Sequence, residues 1–461
     1  MSQSSAFNSL SLNQDFLDNL QSLGYESMTP IQAQSLPYIL SGKDVIAQGK
    51  TGSGKTAAFG LGVLAKLEAK KFSVQALVLC PTRELADQVS TEIRRLARAI
   101  PNTKIITLCG GTPVRPQAAS LDKGVHIVVG TPGRVEDHLK RETLDLHGLQ
   151  TLVLDEADRM LEMGFEDSIN AILAHVPDER QTLLLSATYP EKIQSIAQRI
   201  LTNPEMVIVE SDHDDTSIEQ HFFKIPMGEQ RLKAVKLLLL QNQPESALVF
   251  CSTRQDVREV TEQLQSSGFS VLALHGDLEQ KERDQTLIRF SNNSATVLVA
   301  TDVAARGLDI DSLDVVVNYH LGRDLEVHVH RVGRTGRAGE SGLAWSFYDS
   351  RDSAKIEAIE QLLGRPIKSE NLPPQAVLEY SAPRAPMVTV QIDGGKKQKI
   401  RPGDILGALT GENGIAGTDV GKIKVVSNRS YVAINRDVVK AALKKLETGK
   451  LKGRSCRART L

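Results

Sequence analysis

The stretch ALVLCPTRELADQV (76–89) returns in altered form as ALVFCSTRQDVREV (247–260), an offset of 171 residues. Further along, IITLCGG (105–111) faces VLALHGD (271–277), and IVVGT (127–131) faces VLVAT (297–301), at offsets of 166 and 170. Collinear likeness at a nearly fixed period is the mark of a duplicated domain. Within each copy, short β-branched runs such as LVLC, KIITLC, HIVVGT, TLVLDE and TLLLSAT alternate with longer amphipathic ones such as ELADQVSTEIRRLARAI. The first have the length and composition of strands and the second carries apolar residues at helical spacing. Alternation of that kind predicts an α/β fold: two tandem domains, each a parallel sheet covered on both faces, with ligands at the carboxyl ends of the strands.

The composition sets the frame. A chain of 461 residues fits roughly three domains. Apolar residues make up 41% and charged residues 24%, as in ordinary soluble proteins, and aromatics only 4%, which favours aliphatic sheet cores. No apolar run approaches the roughly 20 residues that span a bilayer. The start MSQSSAFNSLSLNQDF lacks the basic-then-apolar order of a secretory signal. Together these predict a cytoplasmic protein with no membrane contact. Cys80, Cys109, Cys251 and Cys456 lie far apart, and read as reduced, structural thiols. The net charge of −1 hides an asymmetry: residues 384–461 hold 17 Lys and Arg against 6 Asp and Glu, a local +11 that leaves −12 on the rest. The tail therefore reads as a polyanion binder, against the plainer reading of a solvated lysine-rich face.

Breakers and polar runs place the boundaries. The run 210–216 separates the copies, and the proline-rich 371–386 precedes the tail. The domains are expected at 1–209, 217–370 and 384–461. In the tail, VTVQI, GKIKVV and YVAIN read as strands and RPGDILGAL and VVKAALKKLETG as helices. They predict a C-terminal α+β domain in β-α-β-β-α-β order.

The chemistry sits after the strands. Gln48-Gly-Lys-Thr-Gly-Ser-Gly-Lys-Thr56 is a phosphate loop. Its glycines let backbone N–H groups close around phosphates at a helix N-terminus, Lys55 neutralises the terminal phosphates, and the Thr56 hydroxyl ligates Mg²⁺. Gly49, Lys50, Thr51, Gly52, Ser53 and Gly54 complete the loop. In Leu152-Val-Leu-Asp-Glu-Ala-Asp-Arg159 the adjacent acids alone fit a solvated turn. Beside a phosphate loop they acquire a chemical role, in which Asp155 holds Mg²⁺, partly through water, and Glu156 positions the attacking water. The second copy lacks the glycine loop and carries His330-Arg-Val-Gly-Arg-Thr-Gly-Arg337 instead, whose guanidinium groups suit a developing phosphoryl charge. Read alone, that cluster fits a surface nucleic-acid patch equally well.

Tyr25-x-x-x-Thr-Pro-Ile-Gln32, GKTGSGKT, Pro81-Thr-Arg-Glu84, Gly110-Gly111, Thr131-Pro-Gly-Arg134, Asp155-Glu-Ala-Asp158, Ser186-Ala-Thr188, Ala305-Arg-Gly-Leu-Asp309 and HRVGRTGR together resemble the motif series of DEAD-box RNA helicases, from about Phe7 to the second linker. The tail, with IDGGKKQKIRPGDILGALTG, resembles that of the bacterial DbpA subgroup. The resemblance implies two RecA-like domains with an RRM-like C-terminal domain, and ATP and Mg²⁺ as cofactors. It implies roles as well. Gln32 reads both edges of adenine, supported by Thr29, Phe7 and the Tyr25 motif. Thr82, Arg83, Gly111, Thr131 and Arg134 line the RNA backbone, with Thr253, Gly276 and Thr301 opposite. Ser186, Thr188 and Asp158 couple hydrolysis to closure. Asp309 touches the ribose, and Arg334 and Arg337 reach the γ-phosphate. Val332 replaces the usual isoleucine as neutral packing.

Other residues take plainer readings. His275 reads as a structural hydrogen bonder, His328 and His330 as strand or turn residues rather than zinc ligands, and Trp345 as core. The tail strands lack the aromatic pair on which RRM-like sheets stack bases, Tyr431 standing alone. Cations including Lys396, Lys397, Lys399 and Arg401 are expected to hold a folded RNA by backbone and shape. The subgroup resemblance implies large-subunit ribosomal RNA and precursor ribosomal particles as partners of a monomer. The reading is an RNA-dependent ATPase that locally unwinds short duplexes in large-subunit assembly. Two rivals stand beside it: an ATP-gated RNA clamp, disfavoured by intact Glu156, Arg334 and Arg337, and a translocating DNA helicase, disfavoured by the Gln32 motif.

Overall fold

The computed structural model describes residues 5–49, 52–209, 218–305, 313–336 and 342–461. The chain divides into two compact units, one built on the first copy and one holding the second copy with the tail.

The first copy forms a parallel sheet from Val45–Gln48 (β1), Ala76–Leu79 (β2), Ile105–Leu108 (β3), Ile127–Gly130 (β4), Thr151–Leu154 (β5), Gln181–Ser186 (β6) and Glu205–Ile208 (β7), in the order β3-β4-β2-β5-β6-β1-β7. Successive side chains of a strand point to opposite faces, and the two cores divide accordingly. Val45, Ala47, Val78 and Val153 pack with one helical layer. Ile46, Leu77, Leu79, Leu152 and Leu154 pack with the other. Burial on both faces explains the unbroken apolar runs, each fully buried aliphatic side chain contributing about 1.5–3 kcal/mol.

The second copy repeats the plan. Ile218–Lys224 (β8), Ala247–Cys251 (β9), Val271–Leu274 (β10), Val297–Thr301 (β11), Val315–Asn318 (β12) and Gly342–Tyr348 (β13) form a parallel sheet in the order β10-β11-β9-β12-β13-β8. Trp345 is buried in its core. His328 and His330 lie on the helix Leu325–Val332, so the strand-or-turn expectation is corrected. The helix starts because Asp324 caps it, accepting from the Val327 N–H at 2.9 Å.

The tail follows the β-α-β-β-α-β order. Met387–Ile392 (β14), Val420–Val425 (β15), Ser430–Asn435 (β16) and Ala458–Thr460 (β17) form an antiparallel sheet ordered β15-β16-β14-β17, with helices Pro402–Thr410 and Val439–Thr448. Val390, Ile392, Val432 and Ile434 face those helices. The opposite sheet face carries Thr389 and Gln391, and both are buried against the second copy. Asn292 Nδ2 donates to Thr389 Oγ1 at 3.2 Å, Ser294 Oγ lies 2.7 Å from the same hydroxyl, and Gln285 Nε2 donates to Gln391 Oε1 at 3.1 Å. A buried polar seam of this kind requires that its members be paired, and here they are.

Candidate active site

Strand order gathers the chemistry of the first copy into two groups. The neighbours β5, β6 and β1 end in Asp155-Glu156, Ser186 and the phosphate loop. The neighbours β3, β4 and β2 end near Gly110-Gly111, Thr131 and Thr82-Arg83.

In the first group, Gly52 and Gly54 adopt φ of +83° and +96°, which favours glycine, and Gly54 caps the helix Lys55–Ala65. The Gly49 N–H donates to Ser186 O at 3.1 Å, and Lys55 Nζ donates to Gly49 O. Lys55 is buried, and its ammonium faces Asp155, Glu156 and Asp158. Burial pulls its pKa below the usual lysine range while those carboxylates oppose the fall. Burial, then repulsion by Glu156, pushes Asp155 up to about 7, against the pull of Lys55. Glu156 holds a left-handed φ of +52° at the head of the helix Ala157–Glu162, a conformation that a non-glycine residue keeps only when its surroundings impose it.

Thr29 Oγ1, Ser53 Oγ, Glu156 Oε2 and Ser186 Oγ are buried without a hydrogen-bond partner among the described residues. Arg159 Nε reaches Glu156 Oε2 only as an ion pair at 3.5 Å. Orphaned oxygens beside a buried lysine and buried acids are what a phosphate–metal ligand would satisfy, so the residues fit ATP with Mg²⁺. Thr56 and Asp155 are the residues that would hold the ion. Asp158 is already committed: its Oδ2 accepts from the Ala187 N–H, the Thr188 N–H and Thr188 Oγ1 at 3.1, 2.9 and 3.0 Å.

Gln32 is buried with both ends of its amide engaged. Oε1 accepts from the Thr29 N–H at 2.9 Å, and Nε2 donates to Gly54 O at 3.0 Å. Phe7 packs edge-on to Tyr25 at 6.1 Å, and the Tyr25 hydroxyl donates to Glu92.

In the second group, Thr82 Oγ1 accepts from the Leu85 N–H at 3.2 Å and caps the helix Arg83–Leu96. The Arg83 guanidinium lies over Gly110 and Gly111, so close that a Cβ at Gly111 would meet Nη1 at 1.9 Å. Arg134, on the helix Pro132–Lys140, donates to Thr112 O at 2.9 Å. In the second copy, Thr253 caps the helix Arg254–Ser266 through a 3.1 Å bond from the Asp256 N–H. Gly276 has open space where a side chain would stand, and Thr301 Oγ1 accepts from the Ala304 N–H at 3.4 Å. Arg334 is 6% exposed. Lys50, Thr51, Asp309 and Arg337 lie outside the described residues.

Sequence reasoning missed Arg331. Its guanidinium clasps Asp302 through two bonds of 2.6 and 2.8 Å and also donates to Asn318 Oδ1 and His320 O. The first arginine of HRVGRTGR thus ties β11 to β12 inside its own domain. Only the apposition of those strand ends could have signalled this.

In the tail, Lys396, Lys397, Lys399 and Arg401 are exposed on one tight segment. Lys396 N–H donates to Val426 O, Lys397 N–H to Ser427 O, and Lys452 Nζ to Lys399 O. Gly395 permits this approach, since a Cβ there would lie 2.2 Å from Val426 O. Tyr431 stands opposite Gln391 on the seam face of the sheet and is 5% exposed.

A phosphate loop beside buried acids, with a second sheet of the same strand order, is the frame of a nucleotide-driven two-domain enzyme, and the comparisons give its class. Residues 29–196 match the DEAD/DEAH box helicase family, 230–339 the helicase conserved C-terminal domain, and 389–460 the DbpA RNA binding domain. The chain belongs to the DEAD-box ATP-dependent RNA helicases, in the DbpA subgroup. It is 53% identical over 445 residues to the ATP-dependent RNA helicase DbpA of Escherichia coli strain K12, covering 96% of this chain and 97% of that protein. It is 44% identical over 359 residues to the DEAD-box ATP-dependent RNA helicase CshA of Bacillus subtilis strain 168, 78% of this chain and 72% of that one. Among solved structures, S. cerevisiae Dbp5 bound to RNA and ADP BeF3 aligns with a TM-score of 0.71 at 28% identity, over 80% of this chain and 96% of that one. No helix among the described residues is long and apolar enough to cross a membrane.

Proposed function

We propose that this helicase hydrolyses ATP in response to RNA, locally unwinds short duplexes, and is directed by its tail to large-subunit ribosomal RNA during assembly of that subunit. It acts as a cytoplasmic monomer, with domains at 1–209, 217–370 and 384–461. The observation that carries the catalytic part is Lys55, buried among Asp155, Glu156 and Asp158 beside orphaned oxygens of Ser53, Glu156 and Ser186. Lys55 draws the terminal phosphates into the loop, and Glu156 orients water toward the γ-phosphate. Thr56 and Asp155 would hold Mg²⁺, partly through water for Asp155, and the bound ion would supply positive charge against the charge developing on the phosphates. Gln32 exchanges its internal bonds for the adenine edge, and Asp309 holds the ribose. Arg334 and Arg337 stabilise transition-state charge, so hydrolysis depends on the second copy. Thr188, tied to Asp158, links that event to the RNA-facing motifs.

Selection of the RNA falls to the tail, because the core motifs address the sugar-phosphate backbone. The fixed cationic segment 396–401 and the likeness of 389–460 to the DbpA RNA binding domain support this. The test is ATPase stimulation by large-subunit ribosomal RNA against unrelated RNA. A Lys396→Ala, Lys397→Ala, Lys399→Ala triple variant leaves the buried seam intact, whereas removal of 384–461 would uncover Asn292 and Gln285. The triple variant is expected to lose preference for ribosomal RNA while keeping stimulation by unrelated RNA. Unchanged discrimination would assign selectivity to the core.

A further inference from the structure

The helix Val114–Leu121, which directly follows Gly110-Gly111, has no buried residue. Little apolar packing fixes it, yet it adjoins two of the motifs that address RNA. Besides Leu121, which packs against the core at its far end, one polar side chain tethers it. Gln117 Nε2 donates to Cys109 O at 3.1 Å and to Thr112 Oγ1 at 2.9 Å. Its Oε1 accepts from Arg134 Nη1 at 2.8 Å and lies 3.0 Å from His138 Nε2. A primary amide has two donors and two acceptor positions, and all four are used here. Neither a carboxylate, which cannot donate, nor an aliphatic chain could make the same set.

The partners matter as much as the count. Cys109 O is the carbonyl immediately before Gly110, so the donated bonds set the pitch of the loop over which the Arg83 guanidinium lies. Arg134 and His138 are four residues apart on one helix and so share a face. His138 is fully buried, with Thr143 Oγ1 2.8 Å from Nδ1, and it backs Gln117 from below. Arg134 has 13% of its side chain exposed and a second tether, Thr112 O, on the same loop.

We infer that Gln117 is a positioning residue for RNA binding: one amide locks the Gly110-Gly111 loop and the Arg134 guanidinium into a single geometry that matches consecutive phosphates. The inference rests on the proposed role of Arg134 and Gly111 at the RNA backbone. Gln117 itself touches no RNA; it removes freedom from two groups that do, and so lowers the ordering cost of binding.

The experiment is a steady-state ATPase titration of the full-length chain with single-stranded homopolymer RNA, which bypasses tail selectivity. Gln117→Leu is expected to raise the RNA concentration for half-maximal stimulation about tenfold, the scale of losing one or two charge-assisted bonds, while kcat at saturating RNA stays within about twofold. Combined with Arg134→Ala, its effect should be clearly less than multiplicative, because both changes break the same link. Should Gln117→Leu fail to fold, Gln117→Glu keeps both acceptors and loses both donors, and is expected to raise the half-maximal concentration about threefold. A parental half-maximal concentration, a fall in kcat without a change in that concentration, or fully multiplicative effects would overturn the inference. An Arg134→Ala protein with parental RNA response would overturn the underlying reading of Arg134, and the positioning role with it.

Discussion

The two copies are the same sheet with opposite solutions at one edge. Set β1 to β6 against β8 to β13 and the strand orders are identical, β7 being an addition to the first. At one end of each sheet the inherited chemistry persists. Thr82 and Thr253 both cap the helix after the second strand, and Thr131 and Thr301 both close the fourth. At the other end the copies part. Where the first copy buries Lys55 against acids and leaves oxygens unpartnered, the second places Arg231 on the helix Glu229–Asn242. Arg231 is 1% exposed and donates to Tyr319 O at 2.7 Å and Ile225 O at 3.0 Å, with Asp349 at 3.8 Å. Those partners immediately follow β12, β8 and β13, the counterparts of β5, β1 and β6. The second copy has no glycine loop and fills that edge with an internal cation that bonds two strand-end carbonyls.

The largest expected effects test the catalytic edge. Glu156→Gln should retain ATP binding and lower RNA-stimulated turnover about 10²–10⁴-fold, whereas Lys55→Ala should lose ATP binding itself; nucleotide affinity and single-turnover hydrolysis separate the two. Arg334→Ala should reduce turnover by about 10³-fold or more with little change in ATP affinity. Equal losses of affinity and turnover would show that Arg334 binds the ground state, and the second copy would then contribute no transition-state charge.

Next in size is the plug. Arg231→Ala leaves two buried carbonyls without their donor, while Asp349 keeps Arg351 at 2.6 Å, and should destabilise the second copy by about 2–4 kcal/mol in urea melts. The first copy's transition should not move. A melt equal to the parent's would mean that the edge tolerates vacancy, and the contrast with Lys55 would lose its physical basis.

Smaller still, pH should push the two copies in opposite senses. Asp155 is raised to about 7 in the folded state, so its contribution is fully present below its unfolded pKa near 4 and is lost as pH rises toward 7. Burial, with Arg331 adding to it, pushes His328 down to about 4, so its contribution is present above the unfolded value near 6.5 and is lost as pH falls through 4. Between pH 7.5 and 5, the nucleotide-free parent should gain stability relative to Asp155→Asn and lose it relative to His328→Gln, each by on the order of 2 kcal/mol. Parallel pH curves for parent and variant would break either half of this expectation. The smallest effect is expected in the tail, where Tyr431→Ala on the buried seam face should weaken RNA binding about twofold or less, measured by filter binding beside the triple lysine variant.

The sites that were legible in the sequence share one property: their members are adjacent in the chain. The phosphate loop, Asp155-Glu156 and HRVGRTGR each carry their meaning within a dozen residues, because a strand end and the turn after it are local structures. Gln117, Arg231 and the Asp302–Arg331 clasp were not legible, since each is an ordinary polar residue until its partners arrive. Arg231 bonds a carbonyl 88 residues away, and Arg331 a carboxylate 29 residues away. The histidines of HVH were misread because alternation over three residues suits a strand as well as a helix face, and only the Asp324 cap decides between them.

By itself, the sequence determined the duplication, the α/β alternation, the family and the cationic tail, because repeat period, hydrophobic pattern, motif spacing and charge are properties of the chain in one dimension. It also indicated, through the missing aromatic pair, that the tail sheet is no stacking platform. What covers that face was decided by tertiary structure: Thr389 and Gln391 are ordinary strand residues, and became a seam only when Asn292, Ser294 and Gln285 of the second copy met them. The grouping of the phosphate loop with Asp155-Glu156 and Ser186, and of Gly110-Gly111 with Thr131 and Thr82, was settled there too, since the order β3-β4-β2-β5-β6-β1 is set by how crossovers pack helices on a twisted sheet, and no residue encodes its own strand's neighbours.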